Sequence, residues 1–346
     1  MNIKDTLFRL SNASAVGSIA EASDIAFDIL SNYADTIRAN GLTVIGKLKG
    51  KSDYTIMLDA HIDEVGFIVT DVDENGFITA AKCGGIDLRT LPARPVTVHG
   101  KKDVAAVFCS TPPHLSKGDE VFNDISAIKL DTGLGEKAAD IVSAGDYITY
   151  RTKACSLFGS RVTGKSFDDR AGVVCLLELA ERLSKKQLPC NVVFSICDGE
   201  ELGLRGAKTS AFRIQPDEAV AIDVSFGDGP DISPDDCGKL SSGAMIGISP
   251  VLDKEISDRL IKTARKSDIP FQTEVMGGTT STDSDVISVT ANGVRTGLIS
   301  IPLRNMHTDV EVIDTEDIKS VCDILEDYIL SGGVMNDRFT APTFCD

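Results

Sequence analysis

The run Val192-Val193-Phe194-Ser195-Ile196-Cys197 admits few architectures. It is a short, almost unbroken apolar stretch, which reads as a strand buried on both faces. Such a strand needs a covering layer on each side, and a parallel sheet flanked by helices supplies both. The run then ends in Asp198-Gly199-Glu200-Glu201. Neighbouring carboxylates repel one another, and burying one without a partner is costly. A positive partner is therefore expected where this strand emerges.

The same texture continues along the second half of the chain. SFDDRAGVVCLLELAERL places Val173, Leu176, Leu177, Ala180 and Leu183 on one stripe, predicting a helix packed between layers. Strands are expected at 219–222, 244–248 and 296–301, and helices at 254–267 and 315–330. The last of these buries Ile318, Val321, Cys322, Leu325 and Ile329. Near the N-terminus, residues 17–38 read as one amphipathic helix, with Ile25, Ile29, Tyr33 and Ile37 at every fourth position, and Tyr54 to Leu58 as a strand. The fold class this implies is mixed α/β, with a largely parallel sheet covered by helices.

Residues 67–160 have a different texture. FIVTDVDENGFITA predicts a hairpin around Glu74-Asn75-Gly76, and short strands split by Pro, Gly and Asp follow. At most one helix, in GEKAADIVSAG, interrupts them. The expected organisation is an α/β domain formed by 1–66 and 161–346, with 67–160 inserted as a small β domain. The tail after Gly333 is expected to be loosely held.

Composition excludes some function classes. With 42 % hydrophobic residues in 346, the chain can bury a full core. A formal net charge of −17 argues against nucleic acid, whose phosphates need a basic surface. No apolar stretch is long enough for a membrane span, and MNIKDTLFRLSNAS lacks the apolar block of a secretory signal. The nine cysteines are odd in number and include no CxxC pair. Several, such as Cys175 and Cys197, sit in apolar runs where a thiol packs as a small hydrophobe. A reduced, cytoplasmic protein is expected.

Five separated segments carry ligand-type residues at the ends of these elements, where open α/β sheets bind ligands. His61 and Asp63 follow the strand at 54–58. Asp168 and Asp169 open the helix at 170. Asp198, Glu200 and Glu201 end the run at 192–197, Asp223 ends AVAID, and His307 follows ISIPLRNM. Each has a plain structural explanation when taken singly. Aspartates ahead of a helix cap it, paired glutamates occur in solvated turns, and a lone histidine packs in a core. Together they point to metal, because imidazole and carboxylate suit zinc, and also cobalt or manganese. If Asp168, Glu201 and Asp223 bind as carboxylates and His61 and His307 as neutral imidazoles, two divalent cations and one hydroxide leave the site neutral. Such a pair, about 3.5–4 Å apart, activates water. In an extended segment Glu200 and Glu201 would point opposite ways, one to metal and the other to the water's proton. Asp63 is placed to orient His61.

At these residues the chain resembles the M42 family of metallo-aminopeptidases, the tetrahedral aminopeptidases of the co-catalytic di-zinc peptidase clan. The matching stretches are DAHIDEVGFIV, FDDRAGV, EELGLRGA, AIDVSFGDGPD and LISIPLRNMHTDVEVID, with STPPHLSKGD and LDTGLGEKAADIVSAGD inside the β insertion. They occur in order from about residue 5 to 332. The resemblance implies that His61 and Asp223 hold one cation, Glu201 and His307 the other, and that Asp168 bridges them. It also implies Glu200 as general base and acid, acting on a metal-bridged hydroxide, and Asp63 as the partner of His61. The insertion would be a PDZ-like β-barrel for dimerisation, dimers would assemble into a hollow dodecamer, and short peptides would lose their N-terminal residues. GGTTSTDSD and RNMHT depart from the family pattern and are expected to border the substrate pocket. His99 reads as an ordinary strand residue, and His114 has no derived role. Two other readings stay open: a related di-metal amidohydrolase or deacylase, and a metal-independent glycosidase using paired carboxylates.

Overall fold

The computed structural model describes residues 1–112, 114–115, 124–230 and 232–335. The tail beyond 335, Cys345 and part of STPPHLSKGD lie outside the described residues.

The chain opens with α1 (Ile3–Ser11) and α2 (Glu21–Leu30), followed by β1 (Asp35–Arg38), β2 (Val44–Leu48) and β3 (Ser52–His61). The single helix expected over 17–38 is thus a ten-residue helix and a strand. The Asn32 side chain donates to the carbonyls of Asp28 and Ile29, capping the end of α2. Ile37 keeps the helical spacing by coincidence and pairs with Ile45 of β2. Neither α1 nor β2 stands out in the sequence.

A run of short strands follows: β4 (Gly66–Val72), β5 (Ile78–Cys83), β6 (Pro95–His99), β7 (Asp103–Phe108), β8 (Leu130–Asp131) and β9 (Tyr147–Tyr150). Among the described residues they close into a barrel in the order β4-β5-β8-β7-β6-β9. Phe67 packs edge-to-face on Phe108 and Tyr150, with ring centroids 4.9 and 5.7 Å apart, at the barrel's centre. The hairpin expected at Glu74-Asn75-Gly76 joins β4 to β5, with Gly76 at φ +84° as a tight turn requires. GEKAADIVSAG supplies only a six-residue 3₁₀ turn, Gly135–Asp140.

The chain then runs through β10 (Cys155–Ser156), β11 (Arg161–Gly164), α3 (Phe167–Ser184), β12 (Cys190–Cys197), α4 (Arg205–Ile214) and β13 (Glu218–Phe226). After these come β14 (Ala244–Ile248), α5 (Lys254–Lys266), β15 (Phe271–Val275), α6 (Ser284–Ser288), β16 (Arg295–Leu303), β17 (Glu311–Asp314) and α7 (Thr315–Leu330). Among the described residues the main sheet has eight strands in the order β1-β2-β12-β3-β13-β16-β14-β15. Its middle strands β12, β3, β13 and β16 are mutually parallel, so their carboxyl ends share one edge. All eight residues of β12 are buried, as its composition demands.

The stripe of α3 seen in the sequence, from Val173 to Leu183, lies in the principal core with Ile56, Leu58, Phe194 and Tyr328. This is a mixed α/β fold with a largely parallel sheet and a closed barrel. Asp309 ties the two together, accepting from Thr152 Oγ1 at 2.6 Å and pairing with Arg94 at 3.3 Å. No helix among the described residues is long and apolar enough to cross a membrane.

Candidate metal centre

His61 is the last residue of β3, and Asp223 lies near the end of the neighbouring β13. Asp168 enters from the start of α3, whose first turn is irregular: Asp168 and Asp169 have non-helical backbones and a cis peptide bond joins them. The capping role expected for such aspartates falls to Asp169, which accepts from the Gly172 amide at 2.9 Å. Asp168 is thereby left to the cleft.

Its carboxylate spans the two histidines. Oδ1 lies 3.0 Å from His61 Nε2, and Oδ2 lies 3.2 Å from His307 Nε2. Glu201 Oε1 approaches His307 Nε2 at 3.3 Å, and Glu200 Oε2 lies 4.0 Å from His61 Nε2. The donors form two overlapping groups, His61–Asp168–Asp223 and Asp168–Glu201–His307, each with ligand atoms within 4.8 Å of one another. Asp169 caps α3 and Asp198 accepts from the Leu42 amide at 3.5 Å, whereas the other seven of the nine residues marked in the sequence meet in one place. Their chemistry, imidazole nitrogen with carboxylate oxygen around a shared aspartate, fits a pair of divalent cations.

The second imidazole nitrogens are also engaged. His307 Nδ1 is 2.6 Å from the Gly85 carbonyl, and His61 Nδ1 is 3.3 Å from the Asp63 carbonyl. If each Nδ1 carries the proton, Nε2 is left free to bind metal. The Asp63 carboxylate lies 3.6 Å from His61 Nδ1, on the side where an orienting partner would stand. Its Oδ1 and Oδ2 also accept the backbone N–H groups of Glu200 and Glu201, at 3.1 and 3.2 Å. Those two glutamates are not in an extended segment. They occupy a turn in which the Glu200 carbonyl accepts from Gly203 and Leu204, and Asp63 clamps that turn.

Charge in the cleft is dominated by buried carboxylates. Burial, with Glu201, Asp168 and Asp63 nearby, pushes Glu200 up to about 7 although His61 opposes it. Burial also raises Asp223 well above the usual carboxylate range. Burial works against the cation of His307, but Asp168 and Glu201 overcome it and raise the imidazole to about 11. His61 is likewise raised against its burial, by Asp168 and Asp63. The surrounding carboxylates thus favour the positive form of each imidazole.

Sequence reasoning missed the groups that hold this constellation. Glu311, four residues after His307 in HTDVE, is buried. It accepts from the His307 amide at 2.9 Å and from the amides of Phe167 and Asp168 at 2.6 and 3.2 Å. One side chain thus fixes both a histidine at φ +60° and the start of the aspartate pair. Gly84 and Gly85 bring the barrel side close, because a Cβ on Gly85 would lie 3.2 Å from His307 Nδ1. Below the aspartates, Glu64 pairs with Lys165 at 2.5 Å and Arg170 at 3.5 Å. Arg170 also donates to the carbonyls of Ile62 and Leu10. Nothing in the sequence marks either Arg170 or Lys165 for this role. Elsewhere His99 bridges Asp103 and Thr149 within the barrel, and His114 lies in an exposed turn.

Residues 43–324 match the family model described as M42 glutamyl aminopeptidase. The chain belongs to the M42 peptidase family. It is 29 % identical to a lysyl aminopeptidase of Pyrococcus furiosus over 85 % of its own length and 87 % of that protein. Among solved structures, it is similar to the aminopeptidase APDkam598 of the archaeon Desulfurococcus kamchatkensis, with a TM-score of 0.91, 27 % identity and 99 % of both chains covered. It also resembles the TET1 peptidase of Pyrococcus horikoshii, which can assemble into a tetrahedron or a large octahedral shell, with a TM-score of 0.85 and 28 % identity over 95 % of this chain and 99 % of that one. This M42 member is accordingly a peptidase, a hydrolase of the aminopeptidase group.

The buried platform behind the cleft gives a stability test. Lys165→Met leaves Glu64 buried with a weaker partner. It should cost about 3–5 kcal/mol, the penalty of breaking a buried ion pair. Urea unfolding at fixed chain concentration measures it, and a loss within ~0.5 kcal/mol would show that Arg170, Ser166 and the Ala15 amide satisfy Glu64 without Lys165.

Proposed function

We propose that this chain is a di-metal aminopeptidase removing N-terminal residues from short peptides. The observation that carries this reading is the Asp168 carboxylate, with one oxygen toward His61 and the other toward His307. In it, His61 and Asp223 hold one cation, Glu201 and His307 the other, and Asp168 serves both. A bound divalent pair, zinc first and cobalt or manganese as alternatives, supplies polarisation of the scissile carbonyl and acidity to the attacking water. Glu200 takes the water's proton and delivers it to the departing amine nitrogen. Asp63 keeps Glu200 and Glu201 in place through their amides and supports His61. Glu311 does the same for Asp168 and His307.

The cleft's charge supports an amino-terminal substrate. Five carboxylates line it, Asp168, Glu200, Glu201, Asp223 and Glu274, without a lysine or arginine among its described lining residues. Two divalent cations leave that wall negative, which attracts an α-ammonium and repels a terminal carboxylate. The same charge decides among side chains. Glu274 faces the cavity and is held by the hydroxyls of Ser225 and Ser300, so lysine or neutral N-terminal residues are favoured over glutamate. A metal-independent glycosidase would leave both histidines without work. The barrel of residues 67–160 is assigned as the self-association module, on the strength of the family resemblance and the assemblies formed by the TET1 relative. The substrate-side loop includes Thr279 to Thr282, beside Met306.

Substitution, a pH profile and substrate profiling test these assignments. Glu200→Gln should lower kcat by about 10²–10⁴-fold while the metal content stays unchanged. In the parent enzyme activity should rise with pH as Glu200 loses its proton. The acid limb should lie at or below pH 7, because bound cations lower a carboxyl that burial has pushed up to about 7. Retained turnover in the variant would remove Glu200 from this role. Among aminoacyl chromogenic substrates kcat/KM should be higher for lysine than for glutamate, and Glu274→Gln should shrink that ratio roughly fivefold, the worth of about 1 kcal/mol for a part-exposed pair. A preference for glutamate would contradict the assignment.

A further inference from the structure

Next to the cleft, a second group of ligand-type side chains has no part in the proposed reaction. Asp59 lies two residues before His61 on β3, Cys197 ends β12 and Asp283 immediately precedes α6. Their ligand atoms, one sulfur and two carboxylate oxygens, all lie within 4.8 Å of one another. Cys197 Sγ donates to Asp59 Oδ1 at 2.8 Å, and Ser195 Oγ is 3.0 Å from the sulfur. Around them the layer is apolar, with Met57, Ala207, Ala211 and Ile287 packed together.

The group is buried and under-satisfied. Asp59 is 0 % and Asp283 3 % exposed, yet Asp59 Oδ2 and both oxygens of Asp283 lack a hydrogen-bond partner among the described residues. Orphaned oxygens at such depth are costly. A single proton shared between the facing carboxyls would serve one oxygen of each. It would leave the other Asp283 oxygen orphaned, while the sulfur already has Asp59, Ser195 and Ser210 beside it. A cation can meet all three side chains together.

We propose that Asp59, Cys197 and Asp283 form a further cation site, selective for a zinc-type divalent ion. Hard cations such as magnesium and calcium prefer oxygen alone, whereas mixed thiolate and carboxylate donors suit zinc and cobalt. On binding, the thiol proton leaves to solvent and the sulfur lone pair forms the bond to metal, with no change of oxidation state. The ion would brace β3, β12 and the turn before α6 behind His61, a structural role apart from hydrolysis.

The native assembly, stripped with a chelator and reloaded with Co²⁺, tests this directly. The parent protein should show a thiolate-to-cobalt charge-transfer band in the near ultraviolet. It should bind one more cobalt per chain than Cys197→Ser, in which the band is lost. The cleft's proposed ligands contain no sulfur, so failure here leaves the aminopeptidase reading standing. If Cys197→Ser does not fold, X-ray absorption of the zinc-loaded parent decides the matter through a sulfur neighbour at about 2.3 Å. A parent protein without the band or the sulfur neighbour, or a Cys197→Ser protein matching it in both band and stoichiometry, would overturn the site and leave a shared proton between the aspartates.

Discussion

Buried carboxyl groups crowd one edge of this sheet, with two imidazoles as the basic side chains among the described lining residues. Asp168, Glu200, Glu201 and Asp223 converge where β3, β12 and β13 end, and the nearest groups able to become positive are His61 and His307. Arg170 and Lys165, which could have served, are turned away and committed to Glu64 and to backbone carbonyls. On the proposed reading, the cleft is reserved for cations from outside. Much of the surrounding architecture then makes sense as a means of holding like charges together: Asp63 pins one pair of amides, Glu311 another, and Asp169 caps α3 so that Asp168 can face inward.

The site was legible because its residues lie at element ends, where a buried apolar pattern stops abruptly at polar residues. Val192 to Cys197 and the stripe of α3 carry strong periodic signals, and the residues beyond them fall at the cleft by topology. Where the pattern was ambiguous the sequence misled. Ile37 continues a four-residue spacing that ends physically at Asn32, and Glu200 with Glu201 lies in a turn instead of an extended segment. Supporting residues left almost no trace, since buried polar groups such as Lys165, Glu64 and Glu311 look like surface charges until the backbone is folded around them.

Membership of the M42 family and the geometry of the cleft constrain the chemistry from different directions. The family description and the Pyrococcus furiosus relative carry glutamyl and lysyl labels respectively, so neither label sets the preference of this chain. The preference proposed for this chain rests on the carboxylates that line the cleft. Nearby, Asp59, Cys197 and Asp283 repeat on a small scale the problem posed in the cleft, a buried acidic group with carboxylate oxygens that lack a hydrogen-bond partner among the described residues.

Diffraction data collected from zinc-loaded crystals on either side of the zinc absorption edge would locate the cations of the cleft. Two anomalous peaks are expected there, one between His61 and Asp223 and the other between Glu201 and His307, each within bonding distance of an Asp168 oxygen. A single peak that leaves either histidine unbound, or zinc bound without Asp168, would contradict the two-cation reading.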